Sequence, residues 1–150
     1  MQAVIYDGNT RDVRLMGVEY LSSERLFQPL SLEEEKLWHS HHHYDVKSGT
    51  LIAPGLSASV EKGLMTKIVN AYGKTWHTWH TDRNNTLPLG IPALMMDFTA
   101  DDQWDPQSLA DRDRRFGVDT KKRRQQRRAI IAHPLQAGAN ARESGQTIQL

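Results

Sequence analysis

The spacing of apolar residues changes in the middle of the chain, and no other feature constrains the fold as strongly. From Val60 to Tyr72, apolar side chains recur at helical intervals, which is typical of an amphipathic helix, and Gly73 is placed to end it. Residues 74–81 then alternate aromatic and polar side chains, as a half-buried strand does. Because both periods occur in one chain, we predict an α+β fold.

Short helices and strands are predicted along the rest of the chain. The further strands are expected at residues 2–6, at 13–21, on both sides of a turn at 47–49, and at 94–98. The further helices are expected at residues 31–38, 105–117 and 120–131. Ser31 and Glu34 match a capping box at the first, while Asp105 can cap the start of the second and Gly117 can end it. The first two strands should form a hairpin, and the strand at 94–98 should pair with the one at 74–81. We therefore predict a single domain over residues 1–150, with a mostly antiparallel sheet, about four helices, and a partly extended tail at 134–150 that ends in an edge strand at 147–150.

The composition excludes several classes of protein. The chain of 150 residues contains no Cys, which rules out a disulfide scaffold, a thiol nucleophile and a Cys-ligated zinc site. Lys and Arg number 19 against 18 Asp and Glu, so the overall charge does not point to nucleic acid as a partner. No apolar run approaches the ~18 residues that cross a bilayer, and residues 1–10 lack the features of a signal peptide. We expect a soluble cytoplasmic protein without a transmembrane segment, and the sequence leaves its oligomeric state open.

Histidines are concentrated in two short windows, residues 39–43 and 77–80. In an extended segment, residues i and i+2 point to the same side, so alternate imidazoles of the first window could converge on zinc, iron, copper or nickel with a histidine of the second. The predicted ligands are His39, His41 and His77, with His43, His80 and Asp45 as alternates. The order His-x-His followed by Asp45 matches part of the first metal motif of cupin barrels, but no second cupin motif follows. Alternatively, these histidines are polar strand and loop residues, some of them hydrogen-bonded inside the protein.

Two aromatic residues and one cation are candidates for a ligand pocket. Trp76 and Trp79 lie on opposite faces of the predicted strand, so one could belong to the core while the other lines a pocket or a partner surface. Arg83 follows at the end of the strand, where it could orient an anionic group or form a turn with an ion pair. The segment Leu87–Pro92 is too apolar for a solvated loop, and we expect it to pack against the core.

A basic run at residues 121–128 carries six cations in eight positions. Such a run could bind phosphate or an anionic lipid surface, whereas nucleic acid is disfavoured because no aromatic residue is interleaved to stack on bases. The candidate surface-binding residues are Arg123, Arg124, Arg127 and Arg128. The alternative is a solvated helix whose charge is balanced by nearby aspartates. Gly-rich phosphate loops, nucleophile elbows and dinucleotide fingerprints are absent from the sequence.

Several stretches together resemble the oil-body-associated protein family, also described as a domain of unknown function in plants, fungi and bacteria. They are YDGNTRDVRLMGVEYLSSERLF, EEEKLWHSHHHYDVKSGTL, YGKTWHTWHTDRNNTLPLGIPALMMDFT and, more weakly, RDRRFGVDTKKRR with the closing IQL. Relative to the family pattern, His41-His42-His43-Tyr44-Asp45 has one extra position and Asp in place of Glu. Family members also carry a further N-terminal stretch, so the chain is expected to be a shortened form.

The resemblance implies a protein that binds at a lipid-droplet surface or to a protein partner. It brings no catalytic mechanism with it, so whether the chain is an enzyme stays open. Nothing in the sequence is similar to an oleosin-like apolar hairpin, so any contact with a droplet is expected to be peripheral. The rival hypothesis is a small metal-binding protein or metalloenzyme that uses the histidine windows.

Overall fold

Five strands form one sheet with an N-terminal hairpin at its edge. A computed structural model describes residues 1–141, with the backbone alone at positions 43, 44 and 102. The strands within these residues are β1 Gln2–Tyr6, β2 Leu15–Ser23, β3 His39–Ser40, β4 Ala71–His77 and β5 Ala93–Met95. The strand order is β1-β2-β4-β3, and β5 also pairs with β4. The pairs β1–β2 and β4–β5 are antiparallel, which confirms the predicted hairpin and the predicted partner of residues 94–98.

Helices account for much of the remaining described chain. They are α1 Glu24–Phe27, α2 Leu32–Glu35, a π-helix at His42–Lys47, α3 Ala58–Ile68, α4 Pro106–Phe116 and α5 Thr120–Arg127. Two 3-10 turns lie at Thr81–Arg83 and Asp101–Gln103. The predicted α+β class is confirmed, and the four predicted helices correspond to α2, α3, α4 and α5.

Local capping signals explain where several helices begin and end. The Ser31 hydroxyl accepts the Glu34 N–H at the start of α2, as the capping-box pattern predicts. Asp105 accepts the N–H groups of Gln107 and Ser108 at the start of α4. Gly117 ends α4 with φ +62, a left-handed conformation that glycine adopts readily.

One prediction is wrong, and the predicted end of one helix differs from the observed end. Residues 41–52 were expected to form two strands around a turn, but residues 42–47 form the π-helix. The π-helix places the Val46 side chain in a buried apolar core. Helix α3 ends at Ile68 rather than near Gly73, and Tyr72 begins the buried part of β4. Both differences arise because an apolar residue at helical or strand spacing does not reveal which surface it will pack against.

The described chain divides into two compact units. Of the described residues, unit 1 comprises 1–39, 72–96 and 138–141, and unit 2 comprises 40–71 and 97–137. The predicted edge strand at 147–150 lies outside the described residues. Among residues 1–141, no helix combines the length and hydrophobicity needed to span a bilayer.

Unit 1 is built on the sheet and an aromatic cluster. Phe27 is fully buried, its ring is stacked on Tyr72 with centroids 4.0 Å apart, and Trp38 meets it edge-on at 6.2 Å. In β2, a Cβ added to Gly17 would lie only 2.0 Å from the Trp76 carbonyl oxygen of β4. Only glycine therefore allows these two strands to approach so closely.

Unit 2 has an aliphatic core around the π-helix. The buried members are Val46, Met65, Ile68, Val69 and Ile130. Lys47 Nζ donates to three carbonyls at and just beyond the end of α5, those of Arg127, Arg128 and Ile130. These bonds satisfy groups that a helix C-terminus leaves unpaired, and they hold the π-helix against α5.

Candidate functional site

A histidine and two aspartates lie together in the interior of unit 2. His41 is buried, and its Nδ1 forms a short hydrogen bond with Asp45 Oδ2. Asp97 comes from a segment about 50 residues further along the chain (97 − 45 = 52). One nitrogen or oxygen atom from each of the three residues lies within 4.8 Å of the other two. We call this group the His-Asp-Asp cluster.

The backbone around the His-Asp-Asp cluster fixes where its side chains lie. The His41 N–H donates to the Ala71 carbonyl at 3.2 Å. The π-helix places Asp45 four residues after His41, and the Asp45 carbonyl accepts the Leu51 N–H at 3.0 Å. Asp97 Oδ1 accepts its neighbour's N–H, that of Phe98, at 2.8 Å. These bonds fix the backbone at His41 and Asp45 and orient the side chain of Asp97.

The two carboxyl groups of the cluster disfavour each other's ionised form. Burial and the adjacent Asp45 carboxylate raise the pKa of Asp97 to about 8, although the Phe98 N–H and His41 act in the opposite direction. Asp97 Oδ2 is buried and accepts no hydrogen bond from an N–H group of residues 1–141. The raised pKa favours the protonated form of Asp97 near neutral pH, beside the Asp45 carboxylate.

The predicted ligands His39, His77 and His80 belong to unit 1. His39 is buried in β3, and its Nε2 lies 3.1 Å from Glu19 Oε1. His77 ends β4, where burial and the neighbouring His80 lower its pKa from the ordinary value. The side chain of His43 lies outside the described part of the structure.

Of the predicted set, His39 and His77 lie in unit 1 and His41 lies in unit 2. Of the predicted ligands, unit 2 combines His41 with the alternate Asp45, and it adds Asp97, which sequence reasoning missed. The one available signal was an acidic residue directly after the apolar run Leu94-Met95-Met96.

Most of the predicted basic surface is used inside unit 2. Arg127 and Glu61 are 5% and 2% exposed and are joined by an Nη2–Oε1 contact of 2.8 Å. Arg123 also pairs with Glu61. Arg124 forms a two-pronged ion pair with Asp101 at 2.7 and 2.9 Å. These three arginines hold α5 to its surroundings, which a run of cations in a sequence does not reveal.

Three cations of α5 and its C-terminus remain on the surface. Lys121, Lys122 and Arg128 are exposed, and no carboxylate among residues 1–141 forms an ion pair with them. Arg128 is the one member of the predicted arginine set in this group. The charge available to an external anion is therefore smaller than the sequence suggests.

The three predicted pocket residues have different surroundings in unit 1. Trp79 Nε1 donates to the Asn85 carbonyl at 3.0 Å, and the Arg14 guanidinium lies 5.7 Å from the centre of its ring. Trp76 is half-buried in β4 opposite Leu94. Arg83 is exposed in a 3-10 turn. Trp79 therefore braces the start of the following loop.

That loop is the largest departure from the sequence-based expectation. All residues from Thr86 to Pro92, here called the apolar loop, are exposed, with Leu87 at 60%, Leu89 at 57% and Ile91 at 87%. The expected packing of Leu87–Pro92 against the core is wrong. The paired region of β4 and β5 is limited to residues 75–77 and 93–95, so the loop lies outside it. Arg14 Nη1 also donates to the Asn85 carbonyl, at 3.3 Å, and this ties the base of the loop in place.

Fold and site together define an α+β protein with a buried His-Asp-Asp cluster and a braced, exposed apolar loop. The chain belongs to the family described as "Protein of unknown function (DUF1264)", whose model matches residues 1–131. It is 38% identical over 154 aligned positions to oil body-associated protein 1B of Arabidopsis thaliana, which covers 99% of this chain and 62% of that relative.

Two maize relatives give the same picture. Oil body-associated protein 1A of Zea mays is 41% identical, with 96% of this chain and 61% of the relative covered. Oil body-associated protein 2A of Zea mays is 40% identical, with 91% and 56% covered. The chain thus spans roughly three-fifths of the length of these curated relatives. No solved structure matches it significantly.

Proposed function

We propose that this protein binds peripherally to the surface of lipid droplets and that the apolar loop makes the contact. The observation that carries the proposal is the exposure of Leu87, Leu89 and Ile91, which occupy alternate positions of one short loop. Single exposed apolar residues are common on proteins, but three in succession on a braced loop favour an apolar partner. The relatives named as oil body-associated proteins support a droplet as that partner.

The physical gain from such a contact is substantial. Full transfer of a Leu or Ile side chain out of water contributes about 1.5–3 kcal/mol, so partial insertion of three side chains can offset the cost of holding a protein at a surface. Pro88 and Pro92 restrict the backbone, and the Asn85 carbonyl is held by two donors. The loop therefore loses little conformational freedom when it inserts.

Exposed cations add an electrostatic contribution. Each Lys or Arg close to an anionic lipid surface contributes about 1 kcal/mol at low salt. Lys121, Lys122 and Arg128 are available for this role, whereas Arg123, Arg124 and Arg127 already pair with carboxylates of unit 2. We expect these cations of unit 2 to add a salt-sensitive attraction to anionic lipid, separate from the apolar contact made by the loop of unit 1.

Replacing the loop's apolar side chains should weaken droplet binding. In flotation with triacylglycerol droplets coated with phosphatidylcholine, the variant Leu87→Ser/Leu89→Ser/Ile91→Ser should lose at least about tenfold in affinity. The matched control is Leu56→Ser/Val60→Ser, which removes exposed apolar side chains from unit 2. The control should float like the wild type. Equal flotation of the loop variant and the wild type would remove the apolar loop from the proposal.

The cations should matter only when the lipid is anionic. On droplets that contain phosphatidylserine, the variant Lys121→Gln/Lys122→Gln/Arg128→Gln should bind about tenfold more weakly than the wild type at low salt. On phosphatidylcholine droplets the two proteins should bind alike, and high salt should abolish the difference. The same loss on both droplet types would show that the variant acts through something other than charge.

A further inference from the structure

We infer that the His-Asp-Asp cluster of unit 2 is a binding site for a divalent first-row transition-metal ion. Its members are His41, Asp45 and Asp97. The inference concerns the interior of unit 2 and is independent of the proposed contact with lipid. It differs from the ligand set predicted from the sequence, because it requires Asp97 and does not require His77.

The positions of the three side chains are close to those of ligands around one ion. Bonds from zinc to nitrogen and oxygen ligands are about 2.1 Å long, so two ligands of one ion can be at most about 4.2 Å apart. The three donor atoms lie within 4.8 Å of one another without an ion. Small side-chain rotations would close the remaining gap, since Asp45 and Asp97 are half-buried rather than tightly enclosed.

The charges favour a cation over a purely structural network. Two adjacent, partly buried carboxyl groups repel when both are ionised. A divalent ion neutralises the pair. It also gives the buried Asp97 Oδ2 a cation to bind, whereas no N–H group of residues 1–141 donates to this atom. His41 supplies a neutral nitrogen ligand, so the site as a whole would carry no net charge.

The donor set indicates the class of ion. One imidazole and two carboxylates provide mixed nitrogen and oxygen ligands without sulfur, which suits Zn²⁺, Fe²⁺ or Mn²⁺ and disfavours Cu⁺. Ca²⁺ prefers six to eight oxygen ligands and fits this set poorly. Three protein ligands leave a coordination position for water, as catalytic rather than closed structural zinc sites do.

The site also connects distant parts of unit 2. His41 directly precedes the π-helix and Asp45 lies within it. This type of helix is rare and is frequently found at functional sites. Asp97 begins the segment that leads into the 3-10 turn Asp101–Gln103. An ion held by all three would fasten this segment to the π-helix, so binding should raise thermal stability.

The experiment uses the full chain, purified without an affinity tag and treated with a chelator. Zn²⁺ and Mn²⁺ are titrated by calorimetry, and the melting temperature is measured with and without each ion. We expect one ion to bind per chain and the melting temperature to increase. Protein that has not been treated with the chelator should contain near-stoichiometric metal. Loss of a second-shell partner typically weakens metal binding by 10–100-fold, so Asp97→Asn, which removes a ligand, should weaken it by at least about a hundredfold.

Asp97→Asn is close in shape to the wild type and removes a buried charge, so it should fold. If it does not, Asp45→Asn serves as the second variant and is expected to show the same loss. The matched control is His77→Gln, which removes a histidine from unit 1 and should leave the affinity unchanged. The inference is overturned if neither ion binds saturably, if both aspartate variants bind as the wild type does, or if His77→Gln alone abolishes binding.

Discussion

Replacement of Arg127 by alanine is expected to lower the free energy of unfolding by about 3–5 kcal/mol, because it leaves the buried Glu61 carboxylate without its main partner. Arg127 also donates to the Val46 carbonyl at 3.2 Å, so the variant leaves that acceptor unsatisfied as well. Burial lowers the pKa of Arg127, but the adjacent Glu61 charge opposes this change. Urea denaturation followed by circular dichroism measures the loss.

Arg128→Ala is the matched control, since the same residue type is exposed one position further along. Its effect on the free energy of unfolding should stay within about 0.5 kcal/mol. A double variant, Glu61→Leu/Arg127→Met, should recover much of the stability lost in Arg127→Ala, because it removes both charges. Equal effects of Arg127→Ala and Arg128→Ala would contradict the structural role assigned to Arg127 and return it to the candidate surface-binding residues.

Phe27→Ala is expected to cost about 3–5 kcal/mol in the free energy of unfolding, because the aromatic ring is fully buried and leaves a cavity. The stacked contact with Tyr72 and the edge contact with Trp38 are lost at the same time. Tryptophan fluorescence during urea denaturation reports the change, since Trp38 is part of the cluster. The transition should move to a lower urea concentration.

The adjacent residue of α1 offers the control for Phe27. Leu26 is 59% exposed, so Leu26→Ala should change the free energy of unfolding by less than about 1 kcal/mol. Similar losses in both variants would mean that α1 does not present Phe27 to the core of unit 1. Together, the variants of Phe27 and Arg127 test the apolar packing of one unit and the buried ion pair of the other.

Local sequence patterns identified two of the three members of the His-Asp-Asp cluster. Histidine density drew attention to residues 39–43, and both His41 and Asp45 were among the candidate ligands. Their geometry was predicted incorrectly, because an extended segment was expected where the π-helix forms. Asp97 was missed because it is separated from Asp45 by more than 50 residues (97 − 45 = 52), and its neighbours in sequence do not indicate which residues it contacts.

Other candidate residues changed role for the same reason. The basic run at residues 121–128 was correctly predicted to be helical, but the pairing of Arg127 with Glu61 joins positions that lie 66 residues apart. The apolar loop was expected to be buried, and its exposure depends on where β4 and β5 stop pairing. Trp79 supports that loop through the Asn85 carbonyl, a contact that strand alternation does not encode.

The sequence by itself determined the α+β class, the N-terminal hairpin, the caps of α2 and α4, and the end of α4 at Gly117. These features depend on contacts within a few residues, where hydrogen-bonding side chains and allowed backbone angles act directly. Only the tertiary structure decided which charges are buried, which apolar residues stay exposed, and which histidine meets the carboxylates. Those outcomes follow from contacts between segments far apart in the chain, and the free energy of such contacts depends on which surfaces meet.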